Sequence, residues 1–180
     1  MSLRLQSDGP AVVLFDRDGT LVYDDPTIDG PHRVRAITGA AAAIARLRAR
    51  GIKIGVVTNQ PRVGLGTLAQ CDLGAIHDEI DRRLGTMDVW AVCPHRPNVG
   101  CACRKPMPGL VVGATRALGL LPRDCVVVGD IGSDIDAATR AGARAILVPT
   151  AVTRRDEIER APIVARDLAG AVDAILGARA

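Results

Sequence analysis

Two carboxylates, Asp16 and Asp18, stand two residues apart in the run Phe15-Asp16-Arg17-Asp18-Gly19-Thr20, directly after the apolar stretch Ala11 to Phe15. A carboxylate can attack phosphorus, but a phosphate dianion repels it, so such a nucleophile needs a cation that neutralises both. Magnesium meets that need, because it takes hard oxygen ligands from one or two carboxylates, keeps several waters and leaves room for a substrate phosphate. Asp130 ends another apolar run, Cys125-Val-Val-Val-Gly129, and with Asp16 supplies carboxylates for the ion. Asp18 places a second carboxyl group where it can protonate a leaving oxygen and then activate water. Phosphoryl transfer otherwise requires positioning and charge stabilisation, for which Thr58 offers a hydroxyl and Lys105 an ammonium.

A second constellation is Cys93-Pro-His95 followed by Cys101-Ala-Cys103, three thiols and one imidazole on a single loop. Four soft or borderline ligands without a fifth suit a closed, structural, tetrahedral zinc site with sulfur at roughly 2.3 Å. Since Lys105 follows Cys103 by two residues, ordering this loop also orders Arg104 and Lys105, so the metal affects catalysis without touching substrate. Cys71 and Cys125 have no such neighbours and are expected in the core as small hydrophobes. His77 is expected on a helix surface, and His32 in a polar loop with no ligand role.

The elements that must hold these groups follow from apolar patterning. Strands are expected at 11–15, 52–57, 87–92, 125–129 and 144–148, with helices between them. One helix opens at Thr38 as N-cap and stops at Gly51; a second follows a capping box of Thr67 and Gln70 and stops at Gly85. A third begins near Pro108 and ends around Gly119, and a fourth has Ser133 as N-cap and closes at Gly142. One or two short helices follow from about Thr153, the last capped by Asp167. Strand alternating with helix predicts an α/β fold, a doubly wound parallel sheet within one domain spanning 1–180. Ligands of such sheets bind outside the carboxyl ends of the strands, so Asp16, Thr58 and Asp130 should converge on one rim.

Composition agrees. Trp90, Tyr23 and Phe15 are the only aromatic residues, so the core must be aliphatic, as in strands buried on both faces. The formal charge is only +3 and the arginines are scattered among acids, which leaves no electrostatic footprint for nucleic acid. Stacking platforms for bases are missing too. No apolar run approaches the roughly 20 residues that span a bilayer, and no secretory signal is legible, so no membrane association and a cytoplasmic location are expected. A monomer or weak oligomer is expected.

Phe15-Asp16-Arg-Asp18-Gly-Thr20, the strand-end Thr58, Arg104-Lys105-Pro106 and Gly129-Asp130 with Asp134 resemble the four ordered motifs of the haloacid dehalogenase superfamily, and the resemblance covers about 11–149. It implies Asp16 as nucleophile, Asp18 as general acid and base, and Thr58 and Lys105 as phosphate ligands. It further implies magnesium held by Asp16, Asp130 and the main-chain carbonyl of Asp18, with Asp134 supporting the metal shell. An aspartate at position 18 favours phosphatase chemistry, since superfamily pumps carry threonine there and dehalogenases lack the carboxylate. The spacing of the motifs leaves little room for a large cap domain, so the site should be comparatively open. The string from Cys93 to Gly109 is similar to the zinc-loop subfamily containing heptose 1,7-bisphosphate and histidinol-phosphate phosphatases, which makes Arg104, with Asn59 and Lys105, substrate-facing. After Thr58-Asn59-Gln60 those heptose enzymes continue with Ser-Gly and then an arginine before a glycine. Here Pro61-Arg62 and Leu65-Gly66 stand instead, and Arg62 could restore the missing charge. The resulting expectation is a phosphatase for a small phosphorylated sugar, a heptose 1,7-bisphosphate ahead of histidinol phosphate. The rival from another class is a non-catalytic binder of a phosphorylated ligand, which would not need a nucleophile and an acid/base together.

Overall fold

The strands of this computed structural model, which describes residues 9–177, are β1 (Val12–Phe15), β2 (Lys53–Asn59), β3 (Val89–Cys93), β4 (Cys125–Gly129) and β5 (Arg144–Leu147). All pair in parallel, in the order β3-β2-β1-β4-β5. Around them lie helices α1 (Ala40–Arg48), α2 (Pro61–Gly64), α3 (Gln70–Leu84), α4 (Gly109–Ala117), α5 (Gly132–Ala141), α6 (Arg155–Arg160) and α7 (Leu168–Leu176).

Side chains alternate across the sheet, and this sorts the core into two layers. Val13 and Phe15 of β1 join Ile54, Val56, Val126 and Val128 beneath α1, α3 and α7. Val12 and Leu14 join Val57, Val127 and Leu147 beneath α4 and α5. The fold is therefore the expected α/β sheet with helices on both faces. β1 is central, with Val12 in register with Lys53 on one side and Cys125 on the other. The chain order reverses between β1 and β4, so their carboxyl ends open the crevice in which ligands of such sheets bind. No domain is inserted among the described residues. The stretch between β1 and α1 is a loop pinned by Tyr23 N–H to Arg35 O at 3.0 Å and Ile37 N–H to Leu21 O at 2.9 Å.

Several local expectations are corrected. β2 runs two residues further than expected, so Thr58 and Asn59 belong to the strand itself. Gly39, not Thr38, caps α1, at a φ of 87° that favours glycine. The capping box of Thr67 and Gln70 does not form: Ala69 precedes α3, and the Thr67 hydroxyl turns back to Arg62 O at 3.3 Å. Ser133 lies inside α5; Ile131 is the capping residue, and its N–H donates to the Asp134 carboxylate at 3.2 Å. Asp167 does cap the last helix, accepting from Gly170 N–H at 2.9 Å. Cys125 is buried, but Cys71 is exposed. His77 is not a surface residue: its ring stacks on Trp90 with centroids 3.9 Å apart, and burial, then Arg17, lower its pKa to about 4.

Candidate active site

Asp16 follows β1 directly, its N–H bonded to Val128 O of β4 at 2.9 Å, which places its carboxylate at the crevice. Asp130 leaves β4 one strand away. Asp134 comes up from the first turn of α5 and is fully buried. Carboxylate oxygens of Asp16, Asp130 and Asp134 lie within 4.8 Å of one another. Gly19 makes this approach possible: at a φ of 81°, a Cβ there would sit 2.2 Å from Asp130 Oδ2.

The one ammonium in this group is Lys105, delivered from the Cys/His loop and 4 % exposed. Its Nζ donates to Asp16 Oδ1 at 2.6 Å and Val57 O at 2.8 Å, and forms an ion pair with Asp134 Oδ1 at 2.6 Å. Burial alone would lower the Lys105 pKa, but Asp134 and Asp16 outweigh it and raise it, so the ammonium stays charged. The acids are left crowded. Burial first, then Asp134 and Asp18, raise Asp16 to about 8 against the pull of Lys105, while burial and Asp134 raise Asp130 to about 7. Three buried carboxylates facing one ammonium fit a further cation with hard oxygen preference.

Asp18 stands apart from this cluster. Arg17 grips its carboxylate with Nε to Oδ1 and Nη2 to Oδ2, each at 2.9 Å, and Gln60 Nε2 donates to Oδ2 at 2.8 Å. Gln60 also donates to Thr58 Oγ1 at 2.9 Å, which ties the acid to the strand-end hydroxyl. Arg17 is only 1 % exposed. Sequence reasoning passed over it because an arginine in a polar turn normally faces water.

Asp16, Asp18, Thr58, Asn59, Arg104, Lys105, Asp130 and Asp134 all line one open cleft of about 410 Å³. Asn59 is engaged there with the Lys105 main chain: its Nδ2 donates to Lys105 O at 3.2 Å, and its Oδ1 accepts from Lys105 N–H at 3.1 Å. Asp24 and Val152 also line the cleft and were not legible as site residues, since neither belongs to a motif. Arg62 does not bring its charge here; its guanidinium is bound to the carbonyls of Ile28 and Thr67, bracing the α2 turn. His32 pairs with Asp29 at 3.6 Å on the surface. A larger depression of about 730 Å³ opens at the other end of the strands, around Ile52, Lys53 and Arg144. Among the described residues no carboxylate, thiol or imidazole lines it, so chemistry, not volume, picks out the first cleft.

Cys93, His95, Cys101 and Cys103 gather on the loop, each with one side-chain atom within 4.8 Å of the others'. Cys93 Sγ lies 3.7 Å from Cys101 Sγ and 3.3 Å from Cys103 Sγ, and His95 Nδ1 lies 3.5 and 3.2 Å from the Cys93 and Cys103 sulfurs. These sulfurs are too far apart for disulfides at about 2.05 Å, and close to the roughly 3.8 Å edge of a tetrahedron with 2.3 Å bonds. Burial acts to raise the Cys101 thiol, but the Arg104 N–H and the neighbouring sulfurs outweigh it and lower the pKa to about 6, while burial and the same sulfurs push Cys103 up to about 12. The loop is stitched to the rest of the site by Gln60 N–H to Cys93 O at 2.7 Å and Gly109 N–H to Ala102 O at 3.1 Å.

Among the described residues, no helix is long and apolar enough to cross a membrane. Residues 102–171 match the HAD-hydrolase-like family. The chain is 36% identical over 149 residues to a D-glycero-β-D-manno-heptose-1,7-bisphosphate 7-phosphatase of Bordetella bronchiseptica, covering 80% of this chain and 83% of that protein. It is 40% identical over 141 residues to a D-glycero-α-D-manno-heptose-1,7-bisphosphate 7-phosphatase of Mycobacterium bovis, covering 74% of each. The crystal structure of the heptose bisphosphate phosphatase from B. bronchiseptica, complexed with magnesium and phosphate, superposes with a TM-score of 0.84 at 32% identity, over 93% of this chain and 99% of that one. The chain belongs to the haloacid dehalogenase superfamily, as a phosphoric monoester hydrolase closely related to the heptose-1,7-bisphosphate 7-phosphatases.

Proposed function

We propose that this protein is a magnesium-dependent phosphatase that removes the 7-phosphate of a D-glycero-D-manno-heptose 1,7-bisphosphate. The observation that carries the reading is the buried pairing of Asp16 with Lys105 inside the Asp16, Asp130 and Asp134 cluster, with Asp18 on the same cleft. Similarity to heptose phosphatases of both anomers supports the substrate class.

In this mechanism the Asp16 carboxylate attacks phosphorus and the Asp18 carboxyl group protonates the departing sugar oxygen, leaving an aspartyl-phosphate. Asp18, now a carboxylate, takes a proton from water that attacks the same phosphorus and frees Asp16. Arg17 and Gln60 fix the orientation of Asp18 throughout. Lys105 and Thr58 face the charge that builds on the phosphoryl oxygens. Asp16, Asp130 and Asp134, with the main chain of Asp18, would hold magnesium, which when bound neutralises charge between nucleophile and phosphate. Arg104, on the rim, supplies a cation for the phosphate that is not cleaved. Cys93, His95, Cys101 and Cys103 would hold zinc as a structural ion that fixes the loop carrying Arg104 and Lys105. The whole chain acts as one domain, a cytoplasmic monomer or weak oligomer.

The test is phosphate release by purified protein with magnesium across a phosphosugar panel that includes both heptose anomers and histidinol phosphate. Selective turnover of a heptose bisphosphate is expected. Selective turnover of histidinol phosphate would overturn the substrate, and no release from any compound would favour a binding module.

Metal and proton should compete for the acids. In the metal-free fold Asp16 and Asp130 are raised from 3.8 to about 8 and about 7. Between pH 4 and 8 the unfolded chain therefore loses protons that the fold keeps, and metal-free stability declines as pH rises through that window. Magnesium binds the deprotonated acids, so its stabilisation is largest above pH 8 and is lost towards acid. At about 100 times its Kd, magnesium should raise Tm by roughly 5–10 °C at pH 8.5 and hardly at all at pH 5.5. A shift of equal size at both pH values in thermal melts would contradict the assignment.

A further inference from the structure

Thr150 takes no part in the chemistry above, yet its hydroxyl touches one of the acids on which that chemistry rests. It follows β5 and donates from Oγ1 to Asp130 Oδ2 at 3.3 Å. Its own N–H donates to Thr153 Oγ1 at 2.7 Å, and Thr153 Oγ1 donates to the Asp130 main-chain oxygen at 2.6 Å. The two threonines thus form one clasp that holds both the side chain and the main chain of Asp130.

The clasp closes on a particular oxygen. Gly19 faces the same oxygen: a Cβ there would stand 2.2 Å from Oδ2, so only glycine leaves room beside it. Oδ2 therefore carries the Thr150 hydroxyl, while no side chain among the described residues donates to Oδ1, the oxygen left for an ion. The loop has little freedom to retreat. Behind it Glu157 is buried, paired with Arg154 Nη2 at 3.0 Å, and its Cγ lies 2.8 Å from where a Cβ of Gly132 would stand. This packs α6 against the start of α5.

Magnesium and calcium differ in what they ask of a carboxylate. Magnesium demands near-octahedral geometry at 2.0–2.1 Å and takes one oxygen per carboxylate, whereas calcium accepts six to eight ligands at 2.3–2.6 Å and readily uses both oxygens. A carboxylate pinned through one oxygen suits the first ion and handicaps the second. We propose that Thr150 holds Asp130 as a one-oxygen ligand and thereby makes the cleft discriminate magnesium from calcium, an inference that rests on the magnesium reading of the acidic cluster.

The experiment is calorimetric titration of the full chain with magnesium chloride and, separately, calcium chloride, for wild type, Thr150→Val and Thr150→Ser. Valine keeps the volume and removes the hydroxyl; serine restores the hydroxyl. Thr150→Val should weaken magnesium by roughly tenfold, the usual scale for removing a group that orients a metal ligand. Calcium should be unchanged or tighter, so that the ratio of the two dissociation constants falls by a similar factor, and Thr150→Ser should return it to the wild-type value. An unchanged ratio in Thr150→Val overturns the proposal even if activity drops, because a merely structural threonine would lower both affinities together. If Thr150→Val does not fold, Thr150→Ala removes the same hydroxyl with less bulk, and an unchanged ratio there is equally decisive. Wild-type protein that binds no magnesium overturns this proposal together with the reading it rests on, a result distinct from a magnesium-binding enzyme with an unaltered ratio.

Discussion

Asp16→Asn is expected to abolish phosphate release while leaving the fold intact. An amide matches the carboxylate in size and keeps an oxygen to accept from Lys105 Nζ, so packing at this buried position survives. It cannot attack phosphorus, and it removes one of the crowded negative charges facing Lys105. Turnover should fall on the order of 10⁴-fold or more, the scale seen when a group acting as nucleophile is removed. Because Asp16 is raised to about 8 mainly by burial, the metal-free variant should melt no lower than wild type at pH 8 and lose part of the decline in stability between pH 4 and 8. Steady-state phosphate release and thermal melts on the two proteins check both statements. A variant working within tenfold of the wild-type rate would remove the covalent mechanism.

Cys101→Ser should lose the zinc and loosen the loop. Its sulfur sits 3.7 Å from Cys93 and 3.5 Å from Cys103, and a serine hydroxyl is a poor substitute for a thiolate ligand. Structural zinc contributes an apparent binding free energy of about 10–16 kcal/mol in small zinc domains, and the proposed zinc would organise the stretch from Cys93 to Pro108 in the same way. Metal analysis should show about one zinc per wild-type chain and almost none in the variant. Activity should fall by roughly 10–100-fold, as for other changes that disturb the orientation of a site without removing its reacting groups. The fall is smaller than for Asp16→Asn because Asn59 still clamps the Lys105 main chain from β2. Undiminished zinc content in the variant would contradict the ligand assignment.

These two sites were legible in the sequence for different reasons. Asp16 and Asp130 each follow an unbroken apolar run of strand length bounded by a polar turn, which suits a strand buried on both faces, so its end marks the rim. Cys93, His95, Cys101 and Cys103 were legible because four soft ligands within eleven residues need no tertiary knowledge to meet. The supporting groups were hidden because their roles depend on long-range contacts. Arg17 looks like a solvated turn residue until the Asp18 carboxylate closes on it. Thr150 becomes a neighbour of Asp130 only once β5 pairs with β4. Helix starts were misread for a related reason: Ser133 and Thr67 have good capping chemistry, but Asp134 and Arg62 already occupy the positions that would use it. His77 was misjudged because periodicity shows which helix face is apolar but not that Trp90 of β3 lies flat against its edge.

That stacked pair gives the protein its own optical reporter. Trp90 is the sole tryptophan, so ultraviolet emission excited near 295 nm on the order of the indole absorption edge comes from a single place. The place is β3, the outermost strand next to β2, three residues before Cys93. Its indole donates to Asp81 Oδ1 at 3.1 Å and rests on a His77 ring that is neutral at ordinary pH. Any event that frees the edge strand, whether stripping of the loop or unfolding, must part indole from imidazole and change the fluorescence, without a label and without disturbing the cleft.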